Sequence, residues 1–184
     1  MRIRSLESTV ANDLLARVSL KIGEWNELED AVAGTSGHVA YIPSREVTHL
    51  YTIAYRLVAS FPQGAWVLLQ LDNSTAPLPD EVQIFETLVF EPGCRWNVES
   101  QRTFLFERDS HGASDDRATL TMTIVFAIAF YWHGSITFDG AKNGQRIGLQ
   151  DGTIYFIGDE GAVRYGEELI AGFERDPLSL SPSI

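Results

Sequence analysis

The chain reads as one α+β domain: two N-terminal helices, a mostly antiparallel sheet of about six or seven strands, and one C-terminal helix. Three observations lead there. Apolar residues recur every three or four positions over the first 61 residues and again over residues 162–173. Between these stretches the hydrophobic period falls to two. The strand-like segments are joined by short Gly-, Pro- and Asp-rich connections rather than helices, which excludes a doubly wound parallel sheet. A length of 184 residues suits a single core, and we expect the domain to occupy residues 1–175, with residues 176–184 as a mobile tail.

The first helix is expected over residues 3–25, where Ile3, Leu6, Val10, Leu14, Val18, Ile22 and Trp25 line one face. After a loop containing Gly34 and Gly37, a second helix follows, with Ser44 as N-cap and Pro62 and Gly64 as its stop. Its expected buried stripe is Val47, Leu50, Tyr51, Ala54, Leu57, Val58 and Phe61. Strands are expected in AWVLLQLD (65–72), EVQIFETLVF (81–90) and QRTFLFER (101–108), with EPGCRW as a turn and DSHGASDD as a polar loop. Three short strands, GSITFDG, GQRIGLQ and GTIYFIG, come later. Asp151-Gly152 between the last two is a strong hairpin signal, because a type I′ turn needs two residues that tolerate positive φ. A final helix is expected over residues 162–173.

Residues 118–138, ATLTMTIVFAIAFYWHGSITF, contain no Lys, Arg, Asp or Glu and are long enough to cross a bilayer. Their alternation argues against a span. Leu120, Met122, Ile124, Phe126, Ile128, Phe130 and Trp132 form a bulky series at period two, against Thr119, Thr121, Thr123, Val125, Ala127, Ala129 and Tyr131. The stretch is therefore expected to be the central strand of the core sheet, turning at His133-Gly134-Ser135, and no membrane association is expected.

The net charge is −11, spread unevenly. Residues 1–64 carry 6 basic and 7 acidic groups, residues 65–118 carry 4 and 10, and residues 119–184 carry 4 and 8. Such a field repels phosphate backbones, so nucleic acid is not an expected partner, whereas a basic protein is. One cysteine, Cys94, forms no internal disulfide, and a cytoplasmic setting is expected. Nucleotide-binding glycine motifs, zinc-protease motifs and nucleophile elbows are missing, so no cofactor, metal or catalytic residue is assigned. The loop at 109–116 lacks the alternate acidic positions and closing Glu of an EF-hand.

Small size, acidity, an α+β pattern and no catalytic signature resemble, in general character, bacterial immunity proteins that neutralise nuclease toxins. That resemblance implies a basic toxin as partner and an acidic binding surface, for which Asp72, Asp80, Glu81, Asp109, Asp115 and Asp116 are the candidates. Two other readings compete. One is a small-molecule binder or enzyme with an aromatic pocket formed by Trp66, Tyr131, Trp132 and His133, with Phe104 and Phe106 nearby. The other is an assembly subunit that pairs through a sheet edge. Oligomeric state does not follow from sequence.

Overall fold

β-Branched and aromatic residues dominate the segments TFLFE, GSITF and TIYFIG, and WVLLQL is apolar but for Gln70; each forms a strand. The computed structural model describes residues 2–6, 8–18, 37–61, 66–71, 103–107, 115–141 and 145–174. In these residues the order is β1 (Arg2–Ser5), α1 (Ser8–Ala16), β2 (Gly37–Tyr41), α2 (Val47–Ser60), β3 (Trp66–Leu71) and β4 (Thr103–Glu107). Then follow α3 (Asp115–Ala129), β5 (Gly134–Phe138), β6 (Arg146–Gln150), β7 (Thr153–Gly158) and α4 (Glu160–Glu174).

The strands form a seven-stranded sheet in the order β1-β4-β3-β5-β6-β7-β2. Every pairing is antiparallel, and short turns join β5 to β6 and β6 to β7. Alternation sends Leu69, Leu71, Phe104, Phe106, Ile136, Ile147, Leu149, Ile154 and Phe156 into one core with Leu50, Ile53, Ala54, Leu57 and Val58 of α2. Leu120, Ile124, Val125, Ala127 and Ile128 of α3 complete it, together with Trp132. A second cluster joins Trp66, Leu68 and Leu105 to Leu6, Ala11, Leu15 and Val18 of the α1 segment. The sheet thus lies between two apolar layers. Phe61 and Phe138, stacked at 4.9 Å, tie the two layers together at one end.

The α+β class holds, but the order of elements differs from expectation in four places. The charge-free stretch is a helix over Asp115–Ala129, and only its last residues are a strand, β5. Leu120, Thr121, Thr123, Ile124, Val125, Ala127 and Ile128 are all buried, so α3 is enclosed on most sides and presents no polar face to mark a helical period. The threonines do not break it, because the Thr123 hydroxyl donates to the Thr119 carbonyl one turn earlier at 2.9 Å.

Residues 2–5 form an edge strand rather than the start of a helix, pairing Arg2 with Glu107 and Ser5 with Phe104. Helix α1 ends at Ala16, and residues 19–25 lie outside the described residues. Strand β2, not expected at all, pairs Gly37–Tyr41 with β7. In α2 the buried set is Leu50, Ile53, Ala54, Leu57 and Val58, four of them on the expected stripe, while Val47 and Tyr51 are 73 % and 40 % exposed and Ile53 is buried instead. Ser44 does not cap α2; Glu46 holds the N-cap position without a side-chain bond, and Ser44 Oγ instead accepts from the Glu46 N–H at 3.3 Å. The expected strand 81–90, the turn at 91–96 and the tail lie outside the described residues.

The hairpin at Asp151-Gly152 forms as expected, with φ of 50° and 71°, both in the left-handed region. Among the described residues no helix is long and apolar enough to cross a membrane.

Strand β5 can enter the sheet beside β3 only because residue 134 is glycine. A Cβ built there would lie 2.1 Å from the Gln70 carbonyl oxygen, a backbone atom that cannot rotate aside. Gly134→Ala is therefore expected to lower unfolding free energy by about 2 kcal/mol or more, as measured by urea denaturation.

Candidate functional site

Polar and aromatic side chains converge where α3 ends. Phe130 and Tyr131 turn the chain, and Tyr131 has a φ of 59°, a conformation usually left to glycine or asparagine. The Tyr131 N–H donates to Ile128 O at 3.3 Å and the Trp132 N–H to Ala127 O at 2.9 Å, the paired bonds of a Schellman cap. The cap is held from both sides. Trp132, 1 % exposed, anchors it in the core, and the exposed Tyr131 ring carries the Arg45 guanidinium at 4.1 Å from its centroid.

Arg45, in the segment leading into α2, also donates from Nη1 to Ile128 O at 3.1 Å, satisfying a carbonyl at the negative end of α3. Its other neighbour is the β6–β7 turn: a Cβ on Gly152 would fall 2.2 Å from Arg45 Nη2. Glycine suits the position through its positive φ of 71°, and a side chain there would also push the Arg45 guanidinium aside.

His133 bonds through Nε2 to Asp151 Oδ1 at 2.9 Å. A histidine oriented by a carboxylate is half of a general-base arrangement. Here the carboxylate is 74 % exposed at the tip of a hairpin, and the pair ties the α3–β5 corner to the β6–β7 turn. A second histidine lies on α2, where His49 Nε2 and the Tyr41 hydroxyl are 3.0 Å apart and the two rings stack. Burial holds the His49 pKa below the usual histidine value, opposed by the charge of Glu46. Among the described residues no group of three His, Cys, Asp or Glu side chains comes together as a metal site.

The aromatic pocket expected from sequence does not assemble as one site. Trp66 is buried in the α1 layer and Trp132 in the α2–α3 layer, so the two indoles serve separate cores. Phe104 and Phe106 are core residues too, at 0 % and 1 % exposure. Tyr131 and His133 remain, one on the outer side of the corner and one against the hairpin. Of the acidic candidates, Asp115 and Asp116 form the first turn of α3, while Asp72, Asp80, Glu81 and Asp109 lie outside the described residues.

Sequence reasoning missed an exposed apolar stripe on α2. Val47, Tyr51 and Tyr55, four residues apart, share one face, and the two tyrosine rings stack at 6.3 Å. Ile42 lies just before the helix, and Arg45 links this surface to the Tyr131 ring. Of the six exposed large hydrophobic residues described, five belong to this region: Ile42, Val47, Tyr51, Tyr55 and Tyr131. Exposed apolar groups scattered singly need no explanation, but a cluster does.

Two measurements check the corner. Arg45→Ala leaves the Ile128 carbonyl with only the 3.3 Å bond from the Tyr131 N–H and the Tyr131 ring uncovered, and is expected to cost about 1 kcal/mol in urea unfolding. Arg45→Lys restores little of this, because ammonium lacks the planar stack. His49 takes up a proton more readily when unfolded. Its contribution to stability is therefore complete above its ordinary pKa and is lost as pH falls through its lowered folded value. Urea midpoints read from pH 7.5 to pH 5 should fall more steeply for the wild type than for His49→Gln.

No protein-family model, curated protein or solved structure matches the chain significantly.

Proposed function

We propose that this chain is a protein-binding inhibitor of the bacterial immunity kind, acting on a basic, nuclease-type toxin, and that the outer face of α2 is its contact surface. The observation that carries the reading is the stripe Val47-Tyr51-Tyr55 with its neighbours Ile42 and Tyr131. Tyrosines are favoured anchors at protein interfaces, since they bury a large rigid area while keeping a polar tip, at small conformational cost. A net charge of −11 supplies the complementary long-range term, which draws a basic partner in and raises the association rate. In this division of labour the carboxylates, Asp115 and Asp116 among them, steer, and the tyrosines hold.

A photo-crosslinking residue placed at Tyr55, with one at Glu167 on α4 as the comparison, tests the proposal in cells of the source organism. The expected adduct is a basic protein captured from position 55 and not from 167, whose nuclease activity the purified chain then blocks. Tyr51→Ala combined with Tyr55→Ala should weaken that complex about 100- to 1,000-fold while leaving stability within about 0.5 kcal/mol. Raising salt from 50 to 500 mM should slow association about tenfold or more. A crosslinked product of twice the chain's own mass, an adduct indifferent to salt, or a partner whose activity the chain leaves untouched would each overturn the reading.

A further inference from the structure

A phenol can lose one electron at a time, and the fate of the radical depends on which ring lies beside it. The chain has six tyrosines, all within the described residues. The Tyr41 hydroxyl meets His49 Nε2, the Tyr131 ring carries the Arg45 guanidinium, and the Tyr165 hydroxyl donates to Ser60 Oγ while its ring meets Phe156 edge-on. Tyr155 sits in β7 between its register partners Gly148 and Ala40. Tyr51 and Tyr55 face each other, with centroids 6.3 Å apart and ring planes 16° from parallel.

The helix sets this spacing, because residues four apart stand one above the other on its surface. It cannot turn the pair inward, since Leu50, Ile53, Ala54, Leu57 and Val58 hold its other side in the core. Both rings are at the surface, 40 % and 46 % exposed, so a dissolved oxidant reaches them and their outer ends can move together. A near-parallel pair presents ring face to ring face, and a bond between two ring carbons forms along that direction.

We propose that Tyr51 and Tyr55 form a modification site, at which a haem peroxidase acting with hydrogen peroxide couples the two rings into an intramolecular dityrosine. Each phenol gives up one electron and its hydroxyl proton. The two electrons and two protons reduce one peroxide to two waters. The phenoxyl radicals then join through one carbon ortho to each oxygen, and the hydrogen displaced from each of these carbons passes through solvent, as a proton, to the phenoxyl oxygen. Both hydroxyls are thereby restored, and the chain is lighter by two hydrogens. The bridge staples one turn of α2 and fixes both rings in one orientation. The assignment follows from the geometry of the pair and stands or falls apart from the role proposed for the α2 surface.

Treatment of the full chain with a haem peroxidase and hydrogen peroxide, followed by isolation of the monomer and trypsin digestion, tests the assignment. Arg45 and Arg56 bracket both tyrosines with no Lys or Arg between them, so one peptide, residues 46–56, carries the whole site. That peptide should appear two hydrogens lighter, with the blue fluorescence of dityrosine, and its yield should not change when the protein is diluted. Tyr51→Phe and Tyr55→Phe keep the ring and its packing but cannot form the second phenoxyl radical, so each variant should lose both signals while remaining folded by circular dichroism. The proposal is overturned if the wild-type peptide gains oxygen instead of losing hydrogen, if coupling occurs only between chains and falls on dilution, if other tyrosines couple in preference, or if either variant keeps the lighter peptide.

Discussion

Strand β5 is the joint of the molecule. On one side lie β3, β4 and β1, on the other β6, β7 and β2, and among the described residues the hydrogen-bonded ladder joins the two halves through its pairings with β3 and β6. Its entry is constrained at both ends. A glycine at 134 lets the backbone approach the Gln70 carbonyl, and the turn before it must reverse a helix that lies on the sheet into a strand within it. That reversal forces Tyr131 into a left-handed conformation costing about 1 kcal/mol or more, offset by burying Trp132 and by the Arg45 stack.

Legibility from sequence followed how local each signal is. The Asp151-Gly152 hairpin and the amphipathic α4 were readable because their cause lies in the residues themselves: a positive-φ turn, and a helix with one wet face. Strands β1 and β2 were not, because an edge strand of four or five residues is defined by the partner it meets far along the chain. Residues 118–129 misled for a third reason. A helix buried nearly all round carries apolar groups at every period, and its threonines favour a strand until the Thr119 carbonyl answers one of them. In α2 the helix and the centre of its buried face, Leu50, Ala54, Leu57 and Val58, were legible but the margin was not, so Val47 and Tyr51, read as core, are surface.

The candidate sites divide in the same way. His133 could be singled out as a histidine at a strand end, but its partner Asp151 is 18 residues away and becomes visible only once β6 and β7 pair. The pairing of Tyr51 with Tyr55 was legible as a four-residue spacing on a helix, but their exposure was not, because it depends on what the neighbouring elements leave uncovered.

The first 41 residues supply both edges of the sheet, β1 at one end and β2 at the other, and this has a consequence for biosynthesis. These strands leave the ribosome before their partners, β4 at 103–107 and β7 at 153–158. Closing loops of about a hundred residues is slow relative to local folding, so both segments must wait unpaired while most of the chain is made. Strand β1 can pair once β4 has emerged, whereas β2 stays unpaired until β7 follows, and during that interval its open edge is exposed to pairing with a neighbour.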